Sequence, residues 1–343
     1  SDIILWAVHM SDFWSQFTPQ APANDQGDML YAISHQHVLS INGPDASKFM
    51  QGQFTCNLSE INGQQYRRGA MCNAKGRMVA SFDLAQFNDE FLMATDQSLA
   101  PVALAHLKKY MVFFKCKMTQ QDYVLAGLKG PNAASLIEQH FGVDTSKMAN
   151  EEYGQRTLEH GIIIKLPFNA GFEIWLQAEH AQAAFEKLTS DCTLTGNTPL
   201  NKEEWQANLI QSGLGQLDEN LSEALIPQMI NLAQTGGISF NKGCYTGQEI
   251  VARMQYLGKL KRHSYILKLD SPAKLTSGQD IFTPDHKSAI GSIVNVAKHG
   301  DSQFVFAVLE DKFKDAPLCF DQDTSPIAAE HLPLPYPLSE PEE

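Results

Sequence analysis

The run Lys242-Gly243-Cys244-Tyr245-Thr246-Gly247-Gln248-Glu249 places a thiol between two glycines and behind a lysine. Thr246 and Glu249 have the T-x-x-E spacing of a capping box, in which each side chain satisfies a backbone N–H of a helix's first turn. Ile250, Val251 and Met254 then recur at helical spacing, and Gly258 is the expected stop. Cys244 is therefore expected just outside a helix N-terminus, where the macrodipole and Lys242 would both favour thiolate over thiol. Gly243 and Gly247 carry no Cβ and would let a backbone or a ligand approach closely. The competing reading is a small buried cysteine before an ordinary capped helix.

Other familiar chemistries are missing. The sequence contains no G-x-x-x-x-G-K-[ST] phosphate loop, no G-x-G-x-x-G fingerprint, no H-E-x-x-H and no G-x-S-x-G. The six cysteines form no C-x-x-C pair and no zinc spacing, a usage that fits reduced thiols in a cytosol. Asp83 and Glu173 are the carboxylates considered for proton or one-carbon chemistry, and His263 or His299 could reach Cys244 in space. Trp205 offers a flat indole on which an aromatic ring could stack, although a lone tryptophan on a helix more often belongs to a core. Gln228 and Asn231 are amides that could read a donor–acceptor edge or cap a loop.

These residues need a scaffold, and 343 residues are enough for two or three compact units. The 43% hydrophobic and 19% charged composition is that of a globular protein with a real core. Met10 reads as the natural start and residues 1–9 as an upstream remnant. The apolar run Ile3 to Val8 is too short to span a membrane and lacks the basic flank of a signal peptide.

A net charge of −13 argues against a broad nucleic-acid-gripping face. Yet windows 61–82, 97–121 and 250–269 hold no Asp or Glu and contain four, four and five Lys or Arg. They are expected to converge on a positive pocket for an anionic ligand.

Strands are expected at 38–41, 64–73, 78–87, 91–95, 111–118 and 124–128, with two more between 157 and 177. Helices are expected at 99–110, around 181–188 and at 203–211, the last presenting Trp205, Leu209 and Ile210. Gly43-Pro44-Asp45-Ala46 and Gly130-Pro131-Asn132-Ala133 each follow a strand and open a helix, which suggests two related α+β units. After Gly258, short β-type runs at 264–269, 289–297 and 304–309 predict a small all-β domain, and the tail from Pro333 is proline-rich and acidic.

The K-G-C-Y-T-G-Q-E string resembles the signature of the YgfZ family, folate-binding proteins built like the glycine cleavage T-protein aminomethyltransferase. The likeness runs from about Tyr31 to about Tyr336. It implies an α+β fold of two pseudo-repeated subdomains and a small C-terminal β-barrel around a central folate pocket. The expected divisions are a lead at 1–27, a folate-binding region at 28–257, a barrel at 258–330 and a tail at 331–343.

The resemblance further implies a cytoplasmic accessory factor, more a folate binder than a catalyst. Its expected role is to maintain iron–sulfur enzymes and so to support tRNA modification such as methylthiolation. The cofactor would be tetrahydrofolate or a derivative, with Cys244 as a redox or cluster-contacting thiol beside Lys242. Trp205, Gln228, Asn231, Gly243, Tyr245, Gly247, Gln248, Glu249 and Arg253 are the candidate cofactor contacts. Lys75, Arg77, Lys109, Tyr110 and Lys115 stand behind them. The Trp205 helix matches a folate-contacting helix of the family, whereas Gln36 or His37 replaces the family's other tryptophan. Expected partners are the folate and iron–sulfur client enzymes, with no resident metal, no membrane and no direct nucleic acid. The alternatives are a tetrahydrofolate-dependent one-carbon transferase and a direct tRNA binder.

Overall fold

The computed structural model describes residues 13–17, 26–196, 198–258, 260–322 and 324–338. The expectations for residues 1–9, and for most of the lead at 1–27, lie outside the described residues.

Three antiparallel five-stranded sheets form the framework. Sheet A has the order β3-β4-β5-β2-β6, from β2 (Gln36–Asn42), β3 (Arg67–Cys72), β4 (Met78–Phe87), β5 (Glu90–Asp96) and β6 (Lys117–Gln121). Sheet B has the order β1-β7-β10-β9-β8, from β1 (Met29–Ala32), β7 (Tyr123–Lys129), β8 (Gln155–Thr157), β9 (Gly161–Lys165) and β10 (Phe172–Gln177). Sheet C is C-terminal, with the order β12-β13-β14-β11-β15, from β11 (Arg262–Leu269), β12 (Asp280–Ile281), β13 (Gly291–His299), β14 (Ser302–Glu310) and β15 (Glu330–Leu332). The helices are α1 (Ala46–Gln51), α2 (Ala100–Met111), α3 (Ala133–Phe141), α4 (Ala178–Thr189), α5 (Lys202–Gln211) and α6 (Gln248–Tyr256).

Period-two alternation explains the layering. Along β2, Val38 joins a core shared with sheet B, while Leu39 and Ile41 join one shared with α1, α2 and sheet C. The outer face of sheet B is covered by α3 and α4 through Leu136, Ile137, Phe185 and Leu188. Sheet A is thus buried on both faces, and β2 and β4 are accordingly buried at most of their positions on either side.

The two Gly-Pro turns adopt the same local geometry. Gly43 and Gly130 have φ of 122° and 145°, values that favour glycine, and Asp45 and Asn132 precede their helices with near-identical dihedrals. The expected strand at 111–118 is a misreading. α2 runs through Met111, a turn follows, and pairing begins only at Lys117. Val112 and Phe113 are 72% and 89% exposed, so their apolar character marks surface here and not a sheet position.

Candidate functional site

The same alternation places charge inside the A–B sandwich. Asp83 shares the inward face of β4 with Ala85 and Phe87, and Arg68 sits directly opposite it on β3. Glu173 shares the inward face of β10 with Trp175. An arginine and two carboxylates, each 5% exposed or less, are therefore enclosed between two apolar sheets.

Each is held by specific partners. The Arg68 guanidinium donates from Nη2 to the Gly215 carbonyl at 2.6 Å, while its buried Nε has no acceptor among the described residues. The Glu173 carboxylate accepts the Trp175 indole N–H on Oε1 at 3.0 Å and the Trp205 indole N–H on Oε2 at 3.3 Å. Burial, and then the neighbouring Asp83, push the Glu173 carboxyl up to about 8 against the pull of those two donors. Burial raises Asp83 as well, with Arg68 opposing it.

The surrounding wall is phenolic. Tyr66 donates to the Lys165 carbonyl at 2.8 Å and meets Tyr153 edge-on at 5.7 Å, and Tyr153 donates to the Thr235 carbonyl at 2.5 Å. A small cavity opens between Arg68, Asp83, Ser81 and Gln36, and it shares Asp96, Gln216 and Leu217 with a larger cavity of about 210 Å³. Gln36 is buried beside the smaller cavity with its Oε1 unpartnered. His37 points elsewhere and contacts Gln120. These groups offer both donors and acceptors to a flat heterocycle.

The expected residues sort differently from their sequence order. Trp205 is on α5 as expected but is fully buried, with its ring on Tyr31 at 5.0 Å and its N–H on Glu173. A methyl on Gly127 would lie 2.5 Å from that indole, so the glycine clears its bed. Asn231 takes a left-handed conformation, and its amide exchanges hydrogen bonds with the Ser264 backbone of β11. Gln228 donates to the Val251 carbonyl. Both amides hold backbone in place.

The Cys244 loop forms a second, exposed locus. Cys244 is a free, exposed thiol, and Gly243 has open space around it. Gly247, at φ 85°, is the true N-cap of α6 and packs on Cys72 and the Asn73 carbonyl. The capping box does not form. Thr246 turns toward Gln53, and Glu249 pairs with Arg253 one turn along the helix.

Lys242 serves the loop's architecture. Its ammonium donates to the carbonyls of Gln51, Phe54 and Cys56 at 2.8, 2.6 and 2.7 Å and lies over the buried Tyr245 ring. Burial lowers its pKa to about 8. Gln248 ties back to the Gly243 carbonyl.

Of the described basic residues in the acid-free windows, only Arg68 lines either of the two cavities beside the cluster. Among their described basic residues only Arg68 is buried, and Arg67, Arg253 and Arg262 are paired with Glu60, Glu249 and Glu310. Lys75, Arg77, Lys109, Tyr110 and Lys115 are exposed, on the turn after β3 and on α2 and its following turn. In the sequence, only the acid-free window 61–82 marks Arg68.

The comparisons with known proteins agree on the family. The GCVT N-terminal domain profile matches residues 23–235. The tRNA-modifying protein YgfZ of Escherichia coli O127:H6 is 31% identical over 337 residues, covering 94% of this chain and 99% of that protein. The chain belongs to the YgfZ family. The YgfZ protein of Escherichia coli O157:H7 is similar at 30% identity over 342 residues, with the same coverage. Aminomethyltransferase T of the Bartonella henselae glycine cleavage system superposes with a TM-score of 0.69 at 18% identity, over 90% of this chain and 86% of that one. This YgfZ chain therefore has the aminomethyltransferase fold. No helix among the described residues is long and apolar enough to cross a membrane.

Proposed function

We propose that this chain is a folate-binding accessory protein that supports the assembly or repair of iron–sulfur enzymes and, through them, tRNA modification. The observation that carries the folate reading is the Arg68–Asp83–Glu173 cluster beside a polar cavity, with Arg68 Nε and Gln36 Oε1 left without partners. A pterin edge carries neighbouring donors and acceptors. Arg68, Asp83 and Gln36 on the cavity wall can match such an edge. Arg68 and Asp83 would hold the ring, and Trp175 and Trp205 would orient Glu173. Bound tetrahydrofolate would supply a one-carbon carrier or reductant.

Residues 28–257 would form the folate-binding region as two related subdomains, with 258–330 as the C-terminal domain. Cys244 would face client proteins. An iron–sulfur cluster would enter this reading as cargo of a client, contacted at Cys244 if at all. The link to tRNA is supported by the YgfZ relatives, which are named tRNA-modifying proteins.

The alternative is a tetrahydrofolate-dependent one-carbon transferase. Asp83 favours it, because a buried carboxylate beside the cavity could serve a folate nitrogen.

The test is anaerobic tetrahydrofolate titration of the intact protein, with Arg68→Gln alongside and product analysis on the bound fraction. Saturable binding weakened by the substitution is expected, with no one-carbon product. Turnover would move the assignment to the transferase, and absence of binding would sink the folate reading.

A further inference from the structure

Helix α5 separates two cavities. Gln206 and Leu209 on one face line the cavity of about 210 Å³ that adjoins the Arg68 pocket. Glu204, Ala207, Asn208 and Gln211 recur at i, i+3, i+4 and i+7 on the opposite face, where they line a third cavity of about 190 Å³. β1, the end of β7 and His299 at the end of β13 complete its wall. It shares no lining residue with either cavity beside Arg68.

Lys129, the last residue of β7, is half-buried in this wall. Its ammonium donates to Asn208 Oδ1 at 2.7 Å, and the Asn208 amide is fixed in turn by donating to the Ala170 carbonyl at 2.8 Å. An ammonium carries three donors, and Asn208 takes one. The ammonium makes no other hydrogen bond and no ion pair among the described residues. Two acids lie close along the chain, and each has another partner. Asp28, just before β1, accepts the backbone N–H and the side-chain amide of Asn132 at 2.7 and 2.9 Å. Glu204, one helical turn before Asn208, pairs with His299 at 2.6 Å. Burial accordingly pushes the Lys129 pKa below the ordinary lysine value.

We propose that this cavity binds a small organic carboxylate, with Lys129 as its ion-pairing residue. A carboxylate brings one negative charge and acceptors for the two remaining N–H donors. Met29, Leu200 and Ala207 offer an apolar wall to the rest of the molecule. A phosphate dianion matches less well, because the wall holds one unpaired cation and the Glu204 carboxylate stands beside it. The site is independent of the folate reading.

The experiment is a short pulse of an amine-acetylating N-hydroxysuccinimide ester on the full chain, read at Lys129 by peptide mass spectrometry. Exposed Lys75 and Lys115 serve as internal controls. Butyrate, succinate and L-alanine are titrated at constant ionic strength to about 50 mM, enough to fill a site of millimolar affinity. At least one carboxylate is expected to slow acetylation of Lys129 saturably, by about tenfold at ten times its dissociation constant, and to leave both controls unchanged. Saturation-transfer NMR with the same carboxylate is expected to be lost in Lys129→Met and kept in Lys75→Met. If Lys129→Met does not fold, the labelling of the unaltered chain decides the result. Absence of protection by all three carboxylates overturns the proposal. Equal protection by butylamine or chloride, stronger protection by inorganic phosphate, or NMR transfer that survives in folded Lys129→Met overturns it as well.

Discussion

The indole of Trp205 donates to Glu173 across the interior of the A–B sandwich at 3.3 Å, joining α5 to β10. Trp175 donates to the other oxygen of the same carboxyl group. A buried acid is thus fixed in orientation by two rigid donors, at the cost of being hard to ionise.

That cost fixes a pH dependence. Glu173 titrates near 8 in the folded chain, against 4.5 as its ordinary value. Between those values the native state keeps a proton that the unfolded chain has lost, so this group's contribution lowers stability as pH rises through the window. Glu173→Gln should flatten the slope of melting temperature against pH between 5 and 8, a difference of roughly 1–3 kcal/mol. The absolute stability of the variant is a poorer guide, because the new amide can accept from only one of the two indoles through its oxygen. An unchanged slope would mean that Glu173 is already ionised at pH 5.

Trp205→Ala should destabilise the whole protein by roughly 3–5 kcal/mol, the scale of deleting a fully buried aromatic ring. Gly127→Ala attacks the same contact from the opposite side and should cost roughly 1–3 kcal/mol or more through overpacking. Denaturant melts measure both. Normal stability in Trp205→Ala would show that the ring is not a core element.

Lys242→Met keeps the chain length but removes the donor shared by the Gln51, Phe54 and Cys56 carbonyls. A loss of roughly 1–3 kcal/mol is expected, together with faster hydrogen exchange confined to residues 50–57 and 239–247. Protection unchanged in those stretches would separate the lysine from loop architecture.

Cys244→Ser should leave stability within about 0.5 kcal/mol, because the side chain is exposed. Under the proposed role, folate affinity should also hold while cellular tRNA methylthiolation is lost. Equal loss of affinity and cellular function would make the thiol part of the folate site.

The sequence determined much of the local structure. Alternation and turn chemistry located β2, β4, β5 and β7, and the Gly-Pro phrases at Gly43 and Gly130 do open helices after strands with matching dihedrals. The K-G-C-Y-T-G-Q-E string marked the family. The apolar stretch at 111–118 misled because hydrophobicity alone does not say whether a segment faces a core or water, and Val112 and Phe113 face water.

Only the tertiary structure decided the centre of the molecule. Arg68 and Asp83 are 15 positions apart and Glu173 lies far beyond both, so their meeting depends on hairpin register and on which face of each sheet turns inward. A one-residue slip would send any of them to the opposite face. Tyr336 lies far along the chain and reaches the Gly213 carbonyl only because β15 finds an edge on β11. Short-range pattern fixes helix, strand and turn through local sterics. The site depends on non-local pairing, which a pattern of neighbours does not encode.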